Sequence, residues 1–128
     1  MTRQQRVSRW FWGAYSALYD SVWDSPVSTL LADRIAARVG RPGRVVALAC
    51  GTGLCVQGLD AATVLGIDYS ESMARRALKR GRVSHCLIAD AQQTPLIDRC
   101  ADAVVVANLL HVHPDPACVL TECARILS

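Results

Sequence analysis

Residues 45–55 read VVALACGTGLC, an apolar run that meets a turn built on Gly51 and Gly53. A run apolar on both of its alternating faces is what a strand inside a parallel sheet requires. Glycines directly after such a strand let the backbone pass close to a ligand, and a helix starting there points unpaired N–H groups at it. The spacing is Gly-x-Gly, followed by Leu54, Cys55 and Val56 with no third glycine. The dinucleotide fingerprint is therefore incomplete, which argues against a dinucleotide oxidoreductase.

Working outward, the pattern alternates. Strands are expected at 44–49, 63–68 (TVLGID), 84–90 (SHCLIAD) and 101–108 (ADAVVVAN). Between them come a short helix to about Leu59 and a helix over 70–80 with Ser70 as N-cap. A last helix is expected over 115–128, with Val119, Leu120, Cys123 and Leu127 on its apolar side. Upstream, Ser25 as N-cap, Pro26 at the first helical position and Gly40 as a stop frame a further helix. Its expected apolar stripe is Leu30, Leu31, Ile35 and Val39. Strands alternating with helices imply right-handed crossovers and an α/β, Rossmann-like parallel sheet flanked by helices on both faces. Asp68 and Asp90 stand at the ends of the second and third strands, and Asp68 is placed to accept bonds from two ribose hydroxyls. The fourth strand is apolar on both faces, as a central strand would be, yet only one helix follows it.

The totals bound the function. A length of 128 residues suggests one domain, 52% hydrophobic content supplies a core, and 20% charged residues exclude disorder. A net charge of +3 carried by scattered arginines gives no electrostatic reason to expect nucleic acid. No apolar run approaches the roughly 18–20 residues that span a bilayer. Cysteines at 50, 55, 86, 100, 118 and 123 form no Cys-x-x-Cys pair, so reduced thiols in a cytoplasmic protein are expected, and no metal site. His111 with His113 lacks a third ligand.

With these residues in view, the chain resembles the class I S-adenosylmethionine-dependent methyltransferases, in the group similar to the ubiquinone/menaquinone C-methyltransferases. VVALACGTG resembles the family's nucleotide loop, GIDYSESMARRA its second-strand segment and ADAQQTPLID its adenine-binding stretch. ADAVVVANLLHVHPDPACVLTECARIL resembles its fourth strand and the helix after it. The resemblance implies S-adenosyl-L-methionine as cofactor. It implies that Gly51 and Gly53, with Ala49 at the family's first loop glycine, approach the methionine part. Asp68 would then hold the ribose, Tyr69 and Met73 would lie along the nucleoside, and Asp90 and the Ala91 N–H would take the adenine. Asn108 would face the sulfonium, and His111 would look into the substrate space; no catalytic residue is assigned beyond these two candidates.

Two departures bear on activity. Ala47 stands where the family usually carries an acidic residue for the cofactor's ammonium group. One missing charge-assisted bond is worth about 1.5–3 kcal/mol, or roughly 10- to 100-fold in affinity. The substitution at Ala49 is expected to be harmless. The family also continues into further strands, so a C-terminally truncated sheet is expected, with order 3-2-1-4 present and strands 5-7-6 absent. Domain organisation follows as an incomplete S-adenosylmethionine-binding domain over 25–128 preceded by a segment at 1–24. The expected activity is methyl transfer to a small or lipophilic acceptor. The alternative is a non-catalytic, methyltransferase-like cofactor-binding domain or one half of an assembly. Self-association through the uncovered fourth strand belongs to that second reading.

Segment 1–24 holds six of the seven aromatic residues, with arginines at 3, 6 and 9 and no acid before Asp20. Three readings fit it. By the resemblance it is a lid over the cofactor that shapes the acceptor pocket. By composition, 3–23 is an interfacial helix in peripheral contact with an anionic membrane. An arginine-rich transit peptide has the same composition.

Overall fold

The computed structural model describes Phe11, Tyr15, Leu18 and residues 20–128. The expectations for Arg3, Arg6, Arg9, Trp10, Trp12 and Tyr19 fall outside the described residues. Four strands, β1 (Arg44–Leu48), β2 (Thr63–Asp68), β3 (His85–Ile88) and β4 (Ala103–Val106), form one sheet in the order β3-β2-β1-β4. Every pairing is parallel, and Val45 stands between Val64 of β2 and Ala103 of β4. This is the expected Rossmann-like order. The helices are α1 (Pro26–Val39), α2 (Glu71–Lys79) and α3 (Pro116–Ile126).

β1 is buried from Val45 to Leu48, and its alternation divides two cores. Val45 and Ala47 join Val56, Val64, Ala77, Val83 and Val105 on one face. Val46 and Leu48 join Ile67, Ala101 and Ile126 on the other. Both faces being covered is why the strand reads as an unbroken apolar run.

Four local expectations are corrected. The stretch after the glycine turn forms only a 3-10 turn at Leu54–Val56, not a helix to Leu59. Left-handed backbone at Gly53 (φ +83°) and Gly58 (φ +75°) brackets it and leaves room for one tight turn. In α1, Ala32, Ile35 and Val39 face the core, whereas Leu30 is 56% and Val27 75% exposed. In α3, Val119, Glu122 and Ile126 are buried and Leu120 is 53% exposed, because the inward row follows the seven-residue spacing 119–126. Ser70 is the N-cap of α2 but makes no side-chain capping bond, and its Oγ is buried without a partner. At the remaining ends the sequence signals hold. Ser25 accepts from the Ser28 N–H, and Gly40 closes α1 with its N–H on the Ala36 carbonyl.

β3 and β4 are shorter than expected. Residues 89–99 leave the sheet and are pinned to α3 instead. The Thr94 N–H and Oγ1 both donate to Glu122 Oε1 (2.8 and 2.6 Å), and Arg125 bridges Glu122 to Asp98. At the start of β4, Ala101 makes a parallel bridge with Leu127. Among the described residues the strand itself pairs only with β1.

Candidate functional site

The C-terminal ends of the strands open into a cavity of about 940 Å³. That is where a doubly wound sheet places its ligand, and the volume lies in the range of nucleotide-sized pockets. The loop after β1 forms one wall. Ala49 (φ +50°), Gly51 (φ +56°) and Gly53 (φ +83°) all take left-handed backbone, which glycine adopts freely and alanine does not. For Ala49 that conformation costs roughly 1–2 kcal/mol, so the alanine is not conformationally neutral. Asn108, at the end of β4, is left-handed as well (φ +59°), and such outliers gather at functional sites.

The two loop glycines face different ways. A Cβ on Gly51 would meet nothing within 4 Å, and Gly51 lines the cavity. A Cβ on Gly53 would come within 2.9 Å of Arg82 Cβ and 3.3 Å of Ala77 Cβ. Gly53 is not a lining residue; its lack of a side chain admits Arg82 behind the loop.

Asp68 is the organising carboxylate. It is 7% exposed, with Oδ2 accepting the Gly51 N–H and Oδ1 the Ser70 N–H, both at 2.9 Å. One side chain thus fixes the glycine loop and also the entry to α2, where the sequence pointed to Ser70 as the cap. Burial pushes the Asp68 carboxyl above its ordinary value, and the Ser70 and Gly51 N–H groups pull it part of the way back. Beside it, burial and then the Asp68 charge push the Cys50 thiol up, so it stays protonated.

Of the residues expected from the sequence, Ala49, Gly51, Asp68, Tyr69, Met73, Asp90, Ala91 and Asn108 all line the cavity. Met73 is buried at 2% exposure. Asp90 is exposed and uses Oδ1 to accept the Gln92 N–H at 2.9 Å, so it also shapes its own turn. His111 is exposed and lies outside the lining, whereas His113 lines the cavity and accepts the Asp115 N–H at Nδ1. Cys55 lines it too, 3.9 Å from the Asn108 amide nitrogen, and burial raises its thiol. Ala47 is buried and forms part of the cavity wall. Among the described residues no group of three or more His, Cys, Asp or Glu is placed to hold a metal ion.

Sequence reasoning missed the back of the loop. Asp20, 8% exposed, accepts from Thr52 Oγ1 (2.6 Å) and from Arg82 Nη1 (2.9 Å). Arg82 also donates to the Thr52 carbonyl at 3.1 Å, and Arg80 lies 3.6 Å from Asp20. The signal available was that Asp20 is the first acid in an arginine-rich aromatic segment.

Comparison with known proteins agrees with this geometry. Residues 46–128 match the family described as a methyltransferase domain. A phosphatidylethanolamine N-methyltransferase of Cereibacter sphaeroides is 32% identical over 123 residues, covering 90% of this chain and 58% of that protein. A demethylmenaquinone methyltransferase of Thermotoga maritima is 34% identical over 90 residues, covering 67% of this chain and 39% of that protein. The chain therefore spans 58% and 39% of the length of these two relatives. Among solved structures, the DhpI–SAH complex superimposes with a TM-score of 0.71 at 27% identity, covering 94% of this chain and 62% of that one.

Proposed function

The chain belongs to the methyltransferase-domain family, and we propose that its cavity binds S-adenosyl-L-methionine for methyl transfer to a small or lipophilic acceptor. The single observation that carries this reading is the pairing of Asp68 with the Gly51 N–H at the cavity wall. A buried carboxylate held by two N–H groups keeps its remaining lone pairs available to a vicinal diol, and the open space over Gly51 admits the rest of the ligand. Tyr69 and Met73 offer apolar contact to a nucleoside, and Asp90 with the Ala91 N–H stands where an adenine edge would lie. The sulfonium supplies an electrophilic methyl group. What the chain itself adds is alignment, through Asn108 and the loop, and exclusion of water from the cavity. Asn108 and His113 are the polar side chains at the β4 end that would meet an acceptor.

A lipophilic acceptor is supported by the outer surface as well as by the lipid and quinone names of the two relatives. Phe11, Leu18 and Val22 are each more than half exposed and recur at helical spacing, and Val27 and Leu30 extend the apolar surface onto α1. Asp20 lies on the opposite, buried side of the same segment. With arginines at 3, 6 and 9 in the sequence, this surface suits peripheral contact with an anionic membrane. Among the described residues no helix is long and apolar enough to cross one.

One observation favours the second reading, a domain that binds the cofactor without turning it over. Ala47 leaves the cavity wall without the family's carboxylate. The two readings separate in one experiment on the purified chain. Calorimetric titration with S-adenosylmethionine and S-adenosylhomocysteine is followed by transfer of a labelled methyl group to lipid extracts and quinone precursors. Binding with transfer supports the enzyme, binding without transfer supports the second reading, and absence of binding refutes both. Solution mass in the same preparation tests self-association through the β4 edge that pairs with no strand among the described residues.

A further inference from the structure

We infer that Asp20 is a positioning residue for the cofactor loop, and that it couples the N-terminal helical segment to cofactor affinity. The inference rests on the cofactor reading above. Thr52 sits between Gly51 and Gly53 and is 1% exposed, so its side chain points away from solvent while its neighbours set the loop. Among the described residues its hydroxyl meets Asp20, at 2.6 Å, and the more distant Arg82, at 3.5 Å. Arg82 closes the arrangement by donating to Asp20 and to the Thr52 carbonyl. Gly53 is what lets Arg82 come so near, because any Cβ there would collide with the arginine's own Cβ.

The loop is therefore held from both sides. Asp68 holds Gly51 from the cavity side and Asp20 holds Thr52 from behind. The glycines on either side of Thr52 have many other backbone conformations open to them, so the loop keeps its left-handed turns only while its partners hold it. Residues 20–23 are helical, so the short Asp20 side chain ties the position of that helix directly to the loop. The Asp20 and Arg82 side chains are both only 10% exposed, which makes the contact hard to replace with water. Binding that requires an ordered loop then favours the docked helix, and by reciprocity docking favours binding.

The test uses the full chain and the variants Asp20→Asn and Thr52→Val, read by two methods. Titration with S-adenosylhomocysteine is expected to show affinity weakened on the order of tenfold in either variant, a usual size for coupling between sites. Amide exchange is expected to speed up at 51–53 in both variants without ligand. In the wild-type chain, ligand is expected to slow exchange at 20–23, and in Thr52→Val that protection is expected to vanish. A merely structural contact would lower stability and leave this ligand-dependent protection intact. Thr52→Val deletes one hydroxyl at constant shape, so it keeps the test decisive if Asp20→Asn does not fold. Unchanged affinity with unchanged exchange at 51–53 would overturn the inference. If the wild-type chain binds no ligand, the cofactor reading fails, and the exchange at 51–53 still decides whether Asp20 holds the loop.

Discussion

Replacing each loop glycine by alanine separates two roles that a Gly-x-Gly motif usually hides. Both positions have left-handed backbone, φ +56° at Gly51 and +83° at Gly53, so both variants carry the left-handed penalty of roughly 1–2 kcal/mol. The surroundings differ. The new methyl group on residue 51 meets nothing within 4 Å, whereas on residue 53 it lies 2.9 Å from Arg82 Cβ and 3.3 Å from Ala77 Cβ. Neither neighbour is a flexible chain end, so backbone must shift, and overpacking of this kind costs about 1–3 kcal/mol. Gly53→Ala is therefore expected to lose about 2–5 kcal/mol in total and Gly51→Ala about 1–2 kcal/mol. Urea unfolding at equal slope measures the difference. Titration with S-adenosylhomocysteine is expected to rank them the other way per unit of stability lost, because only the Gly51 methyl group enters the cavity. Equal midpoints for the two variants would refute the packing argument.

Asp68→Ala is expected to abolish cofactor binding and also to destabilise the chain. The buried Ser70 N–H loses its acceptor at about 1–3 kcal/mol, the half-buried Gly51 N–H at less because it borders the cavity, and thermal melts beside calorimetry read both effects. Ala49→Gly is expected to raise stability by up to about 1 kcal/mol, because relief of the left-handed strain exceeds the added chain entropy of glycine. An unchanged or lowered urea midpoint would contradict that. The Arg125 hydrogen bond, with help from Thr94, holds the Glu122 carboxyl down from 4.5 to about 2. Its folded value lies below its unfolded one, so the stabilisation is complete above pH 4.5 and disappears as pH falls towards about 2. Glu122→Gln is expected to flatten that part of the stability–pH curve, and an identical acid limb in both proteins would exclude the pair as its source.

Much of the fold was legible because parallel strands buried on both faces leave little freedom of interpretation. VVAL can only be internal, and strand-ending aspartates following a glycine turn mark the ligand end of the sheet. The finer detail of the cavity wall, down to Met73 and Ala91, came from the family resemblance and not from the strand pattern. What escaped was set by partners distant in sequence. Nothing near Gly53 announces that Arg82 will pack against it, and nothing near Thr52 points to Asp20. The outward turn of Leu30 and Leu120 was equally hidden. A helical stripe read from hydrophobicity alone cannot tell which of two adjacent apolar rows the sheet will cover. In α1 the small Ala32 and in α3 the paired Glu122 took the inner places. His113 lines the cavity in place of His111, and its ring accepts the Asp115 N–H.

The position of β1 has a consequence for how the chain is made. The strand lies at the centre of the sheet, yet its partners are both synthesised after it, β2 soon and β4 only after residue 103. During elongation Val45–Leu48 therefore waits with one hydrogen-bonding edge bare while most of the remaining chain emerges. Long-range parallel pairing is slow, and an apolar strand with an open edge recruits other chains in the meantime. The yield of soluble protein is then governed by the time between synthesis of β1 and arrival of β4. Slower aggregation at low temperature, or a chaperone that masks the nascent strand, would improve recovery without altering the stability of the finished domain.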